Sequence, residues 1–146
     1  MASTLLFLSA DSFHATIWQG GRLGATRYFS NDVNGRENFS AFLKQHHHPA
    51  YMLVDVIEED FRLETVPHLS GSSRRDLLAR KFEQFYRGTI FRQALLLQRQ
   101  TEGRRDDDML FSALTNPQRI SPWLDALLSN HIPLVGIYSL PNIVRP

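Results

Sequence analysis

The stretch TLLFLSADSFHATIWQGGRLGATRYFS, residues 4–30, decides the fold. Residues 4–10 form a short, continuous apolar run, and residues 13–19 are rich in aromatic and β-branched side chains, so each predicts a strand. The glycine pair at 20 and 21 supplies the positive φ angles of a tight hairpin turn, and residues 22–30 continue as a third strand. The first thirty residues therefore predict a three-strand antiparallel meander.

Helix and strand signals alternate downstream. Asn34 and Glu37 predict a capping box that begins a helix, which Pro49 ends, and residues 51–57, YMLVDVI, predict a covered parallel strand. The apolar face of this helix contains Phe39, Phe42, Leu43 and His46.

The segment SSRRDLLARKFEQFYRG predicts the strongest helix, capped by Ser72 or Ser73 and ended by Gly88. Its apolar stripe consists of Leu78, Phe82, Phe85 and Tyr86. Residues 89–99 and 109–114 predict a strand pair joined by a polar loop, Ser121 and Pro122 begin a last helix, and residues 133–140 form a last strand. The predicted order is β-β-β-α-β-α-β-β-α-β.

Composition narrows the function. The 146 residues include 16 basic and 15 acidic side chains, for a net charge of +1, so bulk charge gives no case for nucleic-acid binding. The absence of cysteine excludes disulfides and thiolate sites and fits a cytoplasmic protein. Because no apolar run approaches the about 20 residues that span a bilayer, we expect no direct membrane insertion. One domain, 1–146, is the expectation.

The predicted order resembles the ribonuclease-H-like fold, which ribonuclease H, junction resolvases and each half of actin share. Val66-Pro67, the helix after it, the strand pair with its charged loop and the segment NPQRISPWLDALLSNHIPLVGIYSL extend the likeness. Together they resemble the N-terminal half of actin-like assembly proteins of type IV pili and type II secretion, of the PilM and GspL kind. The resemblance implies a bacterial, cytoplasmic, non-catalytic scaffold that binds a protein partner at a membrane machine and lacks its second actin-like half.

Asp11 follows the first strand, where an actin-like ATPase has its phosphate loop. That loop needs glycine and a small hydroxyl residue for backbone amides to approach phosphate. Ser12 matches this pattern, but Phe13 and His14 stand where glycine is expected. If the chain is a nucleotide-binding half, Asp11 and Ser12 are the residues that hold the nucleotide; we expect no cofactor.

A divergent metal-dependent nuclease is the alternative. Asp11 and Asp55 end two strands that lie side by side in this fold, and Glu58 is near, so three carboxylates could hold two Mg²⁺ ions. The simpler interpretation is that Asp11 begins a turn through an Asx hydrogen bond to Ser12, and that Asp55 and residues 58–60 form a solvated loop.

Other polar runs predict no site. The three histidines at 46–48 diverge by about 100° each on a helix and cannot face one metal ion together. The aspartates at 106–108 lack the alternating spacing of a calcium loop, so a solvated hairpin loop neutralised by Arg104 and Arg105 is expected. His14, His68 and His131 have no identifiable nucleophile.

Basic residues cluster on the strongest helix and the hairpin. They are Arg74, Arg75, Arg80, Lys81, Arg87, Arg92, Arg99, Arg104 and Arg105. A solvated helix face balanced by Asp76 and Glu83 is one interpretation, and an interaction surface for an acidic partner is the other.

Overall fold

Residues 1–144 are described by the computed structural model, and they divide into two units. Unit 1 comprises Met1–Ile57 together with the chain from Gln118 onward. Unit 2 is Glu58–Pro117, which lies between the two parts of unit 1 in the sequence. Unit 2 is therefore an insertion in the chain that builds unit 1.

One mixed sheet forms the centre of unit 1. Its strands are β1 (Ala2–Ser9), β2 (Phe13–Gln19), β3 (Arg22–Leu23), β4 (Arg27–Phe29), β5 (Ala50–Asp55) and a last strand, Leu134–Ser139. The first two pair antiparallel, whereas β1, β5 and the last strand run parallel. The antiparallel pairing of the first two strands and the predicted parallel strand are confirmed.

The third strand differs from the prediction. Residues 22–30 do not form one strand; β3 and β4 each pair with β2, and the chain leaves the ladder between them. There the amide of Gly24 donates to the carbonyl of Ile17 at 2.8 Å, and the hydroxyls of Thr16 and Thr26 lie 3.1 Å apart. These contacts replace ladder bonds and split the strand.

Helix α1 (Val33–Gln45) begins two residues earlier than predicted. Its N-cap is Asp32, not Asn34, and the Asp32 carboxylate accepts from the amide of Gly35 at 2.7 Å. Gly35 is tightly placed, because a Cβ atom on it would meet the carbonyl oxygen of Ser30 at 1.6 Å. The close approach fixes where the helix starts, and the sequence pattern around Asn34 and Glu37 did not show it.

Unit 2 contains a helix on one face of a three-stranded sheet. The elements are β6 (Glu59–Val66), α2 (Gly71–Phe85), β7 (Arg92–Arg99) and β8 (Asp107–Leu114). The predicted α2 and hairpin are confirmed, although α2 is capped at Ser70 and not at Ser72 or Ser73. The solvated loop expected at residues 58–60 is wrong, because Glu59 and Asp60 begin β6, which pairs antiparallel with β8.

The chain returns to unit 1 through a 3₁₀ turn, Pro117–Arg119. Helix α3 (Ser121–Ser129) follows, and then the last strand, β9 (Leu134–Ser139), pairs with β5. A single helical turn, α4 (Leu140–Ile143), ends the described chain. Every helix in residues 1–144 is too short or too polar to cross a membrane.

Candidate functional site

A cavity of about 490 Å³ opens at the turn between β1 and β2. Because this turn is where the resemblance implies a phosphate loop, the cavity is the first candidate site. Its lining residues are Leu8, Ser9, Ala10, Asp11, Ser12, Phe13, Tyr28, Phe29, Ser30, Asn31, Arg119 and Trp123. All of them belong to unit 1.

Two serines close the turn. The amide of Ser9 donates to the carbonyl of Ser12 at 2.8 Å, the amide of Ser12 donates to the Ser9 hydroxyl at 3.2 Å, and the two hydroxyls lie 2.9 Å apart. The turn is therefore held by serine hydrogen bonds and not by the Asx bond expected from Asp11, whose side chain is exposed. The backbone amides of Ser9 and Ser12 are therefore already used in hydrogen bonds within the turn.

Arg119 adds a cation to the same turn. Its Nη2 atom donates to the carbonyls of Ser9 at 3.0 Å and of Ala10 at 2.7 Å. The guanidinium thus donates to carbonyl oxygens at the end of β1. Because the donor is charged, these hydrogen bonds are stronger than those that a neutral donor would make. This residue could not be recognised from the sequence, because 109 positions separate it from Ala10 and no local pattern links them.

The inner wall of the cavity is aromatic. Phe13 is 2% exposed and stacks on Trp123 with ring centroids 3.9 Å apart, and both rings contact Phe39 of α1. Phe13 is therefore a core residue that anchors β2 against α3. Its bulk points into the core, so the hydrogen bonds between the serines, not the size of Phe13, distinguish this turn from an open phosphate loop.

The candidate carboxylates are only partly brought together. In the parallel register of β1 and β5, Asp55 lies opposite Ser9, so Asp55 and Asp11 follow the same edge of the sheet. Glu58 begins unit 2, whereas Asp11 and Asp55 belong to unit 1. Among residues 1–144, no three histidine or carboxylate side chains are grouped so that they could hold a metal ion.

The histidines at 46–48 lie at the end of α1. His46 is the C-cap, and its ring contacts Phe42 at a centroid distance of 4.7 Å. The amide of His48 donates to the carbonyl of His46 at 3.0 Å, which turns the chain away from the helix.

The aspartates of unit 2 correct the expectation of a solvated loop. Asp107 is fully buried at the start of β8, with His68 Nδ1 3.0 Å from both carboxylate oxygens and Arg74 Nη1 3.2 Å from one. Only Asp106 pairs with Arg104 as expected, at 3.0 Å. The buried carboxylate joins the chain before α2, the first turn of α2 and β8.

Asp108 forms a second network on the other side of β8. Thr65 and Gln98 donate to its carboxylate at 2.9 and 2.8 Å, and Gln100 donates at 3.1 Å. These hydrogen bonds hold the pKa of Asp108 below its ordinary value, and the one from Gln98 has the largest effect. The network ties all three strands of unit 2 together.

The basic residues of unit 2 fall into two groups. Several bind acidic or carbonyl groups: Arg74 binds Asp107, Lys81 lies 3.5 Å from Glu64, and Arg92 lies 3.2 Å from Glu83. The exposed group contains Arg75, Arg80 and Arg87, on α2 and just after it. The first group stabilises unit 2, and the second is free to face a partner.

Comparison with known proteins identifies the fold. No model of a protein family matches the sequence, and no curated protein matches it. One similar solved structure is the cytoplasmic domain of EpsL, an inner-membrane component of the type II secretion system of Vibrio cholerae, with a TM-score of 0.55 and 16% identity over 100% of this chain. Another is a PilM–PilN type IV pilus biogenesis complex, with a TM-score of 0.63 and 14% identity over 95% of the chain.

The fold is actin-like. The resemblance predicted from the order and spacing of elements is confirmed at this level. The chain spans 60% of the length of the EpsL structure and 47% of the other. At these identities the likeness shows the actin-like fold alone, so function has to be argued from the residues.

Proposed function

We propose that this chain is a non-catalytic interaction domain, the first half of an actin-like assembly protein that recruits a protein partner to a membrane-associated machine from the cytoplasm. The observation that carries the proposal is the closed turn after β1. Ser9 and Ser12 use their amides and hydroxyls on each other, and Arg119 binds the carbonyls of the turn. A turn held in this way supports the fold and offers little to a phosphate.

The proposed partner surface consists of exposed basic side chains on α2 and just after it. Arg75, Arg80 and Arg87 are exposed, whereas the neighbouring Lys81 and Arg92 lie near carboxylates of unit 2. Charges at the rim of a protein–protein interface accelerate association with a partner of opposite charge and set its orientation. The partner is therefore a protein with an acidic surface. Similar structures from secretion and pilus assembly share the actin-like fold, which supports the proposed role at a membrane-associated machine.

Complementation tests this proposal. In a strain that lacks the gene, assembly of the machine is restored by the wild type and by Asp11→Asn, but not by Arg80→Glu combined with Arg87→Glu. The matched control is Arg22→Glu combined with Lys44→Glu, two exposed charges of unit 1, which restores assembly. Loss of assembly in Asp11→Asn, or full assembly with the α2 reversal, contradicts the proposal.

One observation favours a second candidate, the divergent nuclease. The register that places Asp55 opposite Ser9 brings it to the strand edge that Asp11 follows. Mg²⁺-dependent cleavage of a branched or hybrid nucleic acid, lost in Asp11→Asn, is the result that this candidate requires. The interaction-domain proposal predicts no cleavage.

A further inference from the structure

Two of the three histidines after α1 lie side by side. The helix ends at Gln45, and its C-cap, His46, has a backbone conformation that is not helical. The divergence of about 100° per residue on a helix therefore does not apply beyond this point. In the folded chain the ring centroids of His46 and His48 are 6.4 Å apart, whereas His47, between them, is exposed. The rings of His46 and His48 are named the histidine pair.

The separation of the two rings suits one transition-metal ion. An imidazole nitrogen binds such an ion at about 2.0–2.1 Å, which puts the ring centroid about 3.2 Å from the metal. Two imidazoles on one ion therefore have centroids about 5.2 Å apart at a tetrahedral angle, and about 6.4 Å apart when the ion lies on a straight line between them. The histidine pair is at the long end of this range, and small rotations of both side chains reach the short end.

The fold holds both histidines in place. The ring of His46 packs on Phe42, which is buried, at a centroid distance of 4.7 Å. His48 precedes Pro49, and the proline restricts the residue before it to extended backbone. The carbonyl of Pro49 accepts from the amide of Thr4 at 2.8 Å, and β5 begins at the following residue. The histidine pair therefore connects the end of α1 to the start of β5, and packing positions it without a metal.

The charges around the histidine pair are mixed. The carbonyl groups at the C-terminal end of α1 carry partial negative charge, which favours a cation beside His46. Lys44, the basic residue of the last turn, lines a groove that also contains Ser40, and it lies about 200° around the helix from His46. Arg27 opposes a cation, because its Cζ atom is 5.7 Å from the centroid of Phe42, the ring that His46 contacts. The helix end therefore attracts a metal ion, and Arg27 limits how tightly it is held.

We propose that the histidine pair binds one divalent transition-metal ion, with Cu²⁺ held more tightly than Ni²⁺ or Zn²⁺. Imidazole nitrogens are ligands for these three ions, and Cu²⁺ has the highest affinity in the series, whereas Mg²⁺ and Ca²⁺ require oxygen ligands. Among residues 1–144 no third histidine or carboxylate completes the set, so water fills the remaining positions around the ion. A site with two protein ligands is open, and it binds more weakly than a closed structural site with four.

Calorimetric titration of the protein with Cu²⁺ tests the assignment residue by residue. His46→Ala and His48→Ala should each weaken binding by at least about tenfold, because each removes one of the two ligands. His47→Ala is the matched control: it removes the exposed imidazole between them and should change the affinity by less than about twofold. Equal losses in all three variants would show adventitious binding to a run of histidines and overturn the proposal. A wild-type protein that binds no Cu²⁺ overturns it as well.

Thermal unfolding provides a second measurement, which depends on the folded arrangement of the pair. An ion that binds the native state better than the unfolded chain raises Tm by mass action. Saturating Ni²⁺ should raise Tm by about 5 °C in the wild type and in His47→Ala, and by less than about 1 °C in His46→Ala and His48→Ala. Three consecutive histidines bind metal in the unfolded chain too, so a wild-type Tm that stays the same or falls when Ni²⁺ is added overturns the proposal.

Discussion

The two units are stabilised by different means. In unit 1, five large rings form a continuous core in which every ring contacts at least one other, and these rings are Phe13, Phe29, Phe39, Phe42 and Trp123. In unit 2, α2 has no fully buried residue. Its apolar stripe packs on Phe111 and Met109, and charged groups surround the contact.

Charged side chains cover the aromatic contacts of unit 2. Arg62 and Lys81 lie over the ring of Phe85 at 4.8 and 5.4 Å, and Arg92 lies over Phe82 at 5.3 Å. Inside this layer, burial and the contact with Asp60 raise the pKa of Tyr86 to about 12. Unit 1 therefore depends on a large aromatic core, whereas unit 2 combines a smaller apolar cluster with charged side chains that cover it.

Removal of the largest ring of the core should have the largest effect. Trp123→Ala is expected to lower the free energy of unfolding by about 4 kcal/mol, because it leaves a cavity beside Phe13. Urea unfolding followed by circular dichroism measures the change. Trp18→Ala, at a 41% exposed position, is the control, and an equal loss in both variants would contradict the claim for the core.

Removal of the buried carboxylate of unit 2 should have the next largest effect. Asp107→Ala leaves Arg74 and His68 without their partner and is expected to cost about 2 kcal/mol, less than for a fully buried pair, since these two side chains are 31% and 40% exposed. Urea unfolding measures the loss, with Asp76→Ala, at an exposed position of α2, as the control. If Asp107→Ala lowers the free energy of unfolding by less than about 0.5 kcal/mol, the contacts of Asp107 with His68 and Arg74 are not needed for stability.

The smallest effect concerns the α1 cap. Hydrogen bonds from Gly35 and Ser30 hold the pKa of Asp32 below its ordinary 3.8, so its stabilisation is fully present above pH 3.8 and is lost as pH falls through the lower value of the folded state. Asp32→Asn should therefore have a lower Tm than the wild type at pH 7. The two melting curves should converge in acid, and a difference in Tm that persists at low pH would refute the role of the charge.

Most elements of the fold could be predicted because their signals are local. The meander depends on alternating strands and a glycine turn, and α2 depends on an apolar stripe of helical period. β6 was missed because Asp60, Arg62 and Glu64 make it look like a solvated segment. In the structure Arg62 pairs with Asp60, and Glu64 with Lys81, on the side of β6 that faces α2, so the charges are compatible with an edge strand.

Features that depend on distant contacts could not be predicted. Asp107 is buried because His68 and Arg74, more than 30 positions away, meet it in space. Arg119 reaches the first turn in the same way. At the candidate site, the sequence pointed to the turn that contains Asp11 and Ser12, and this site stays a prediction; the hydrogen bonds that close the turn are visible only in the folded chain.

Nucleotide binding tests the central claim most directly. Isothermal titration calorimetry of Mg²⁺–ATP into the protein made from the whole reading frame, with Ser12→Ala as a parallel variant, measures whether the turn after β1 accepts a phosphate. The closed turn predicts no binding heat from either protein. Saturable binding by the wild type that Ser12→Ala weakens would contradict the claim that this turn serves the fold and not a nucleotide.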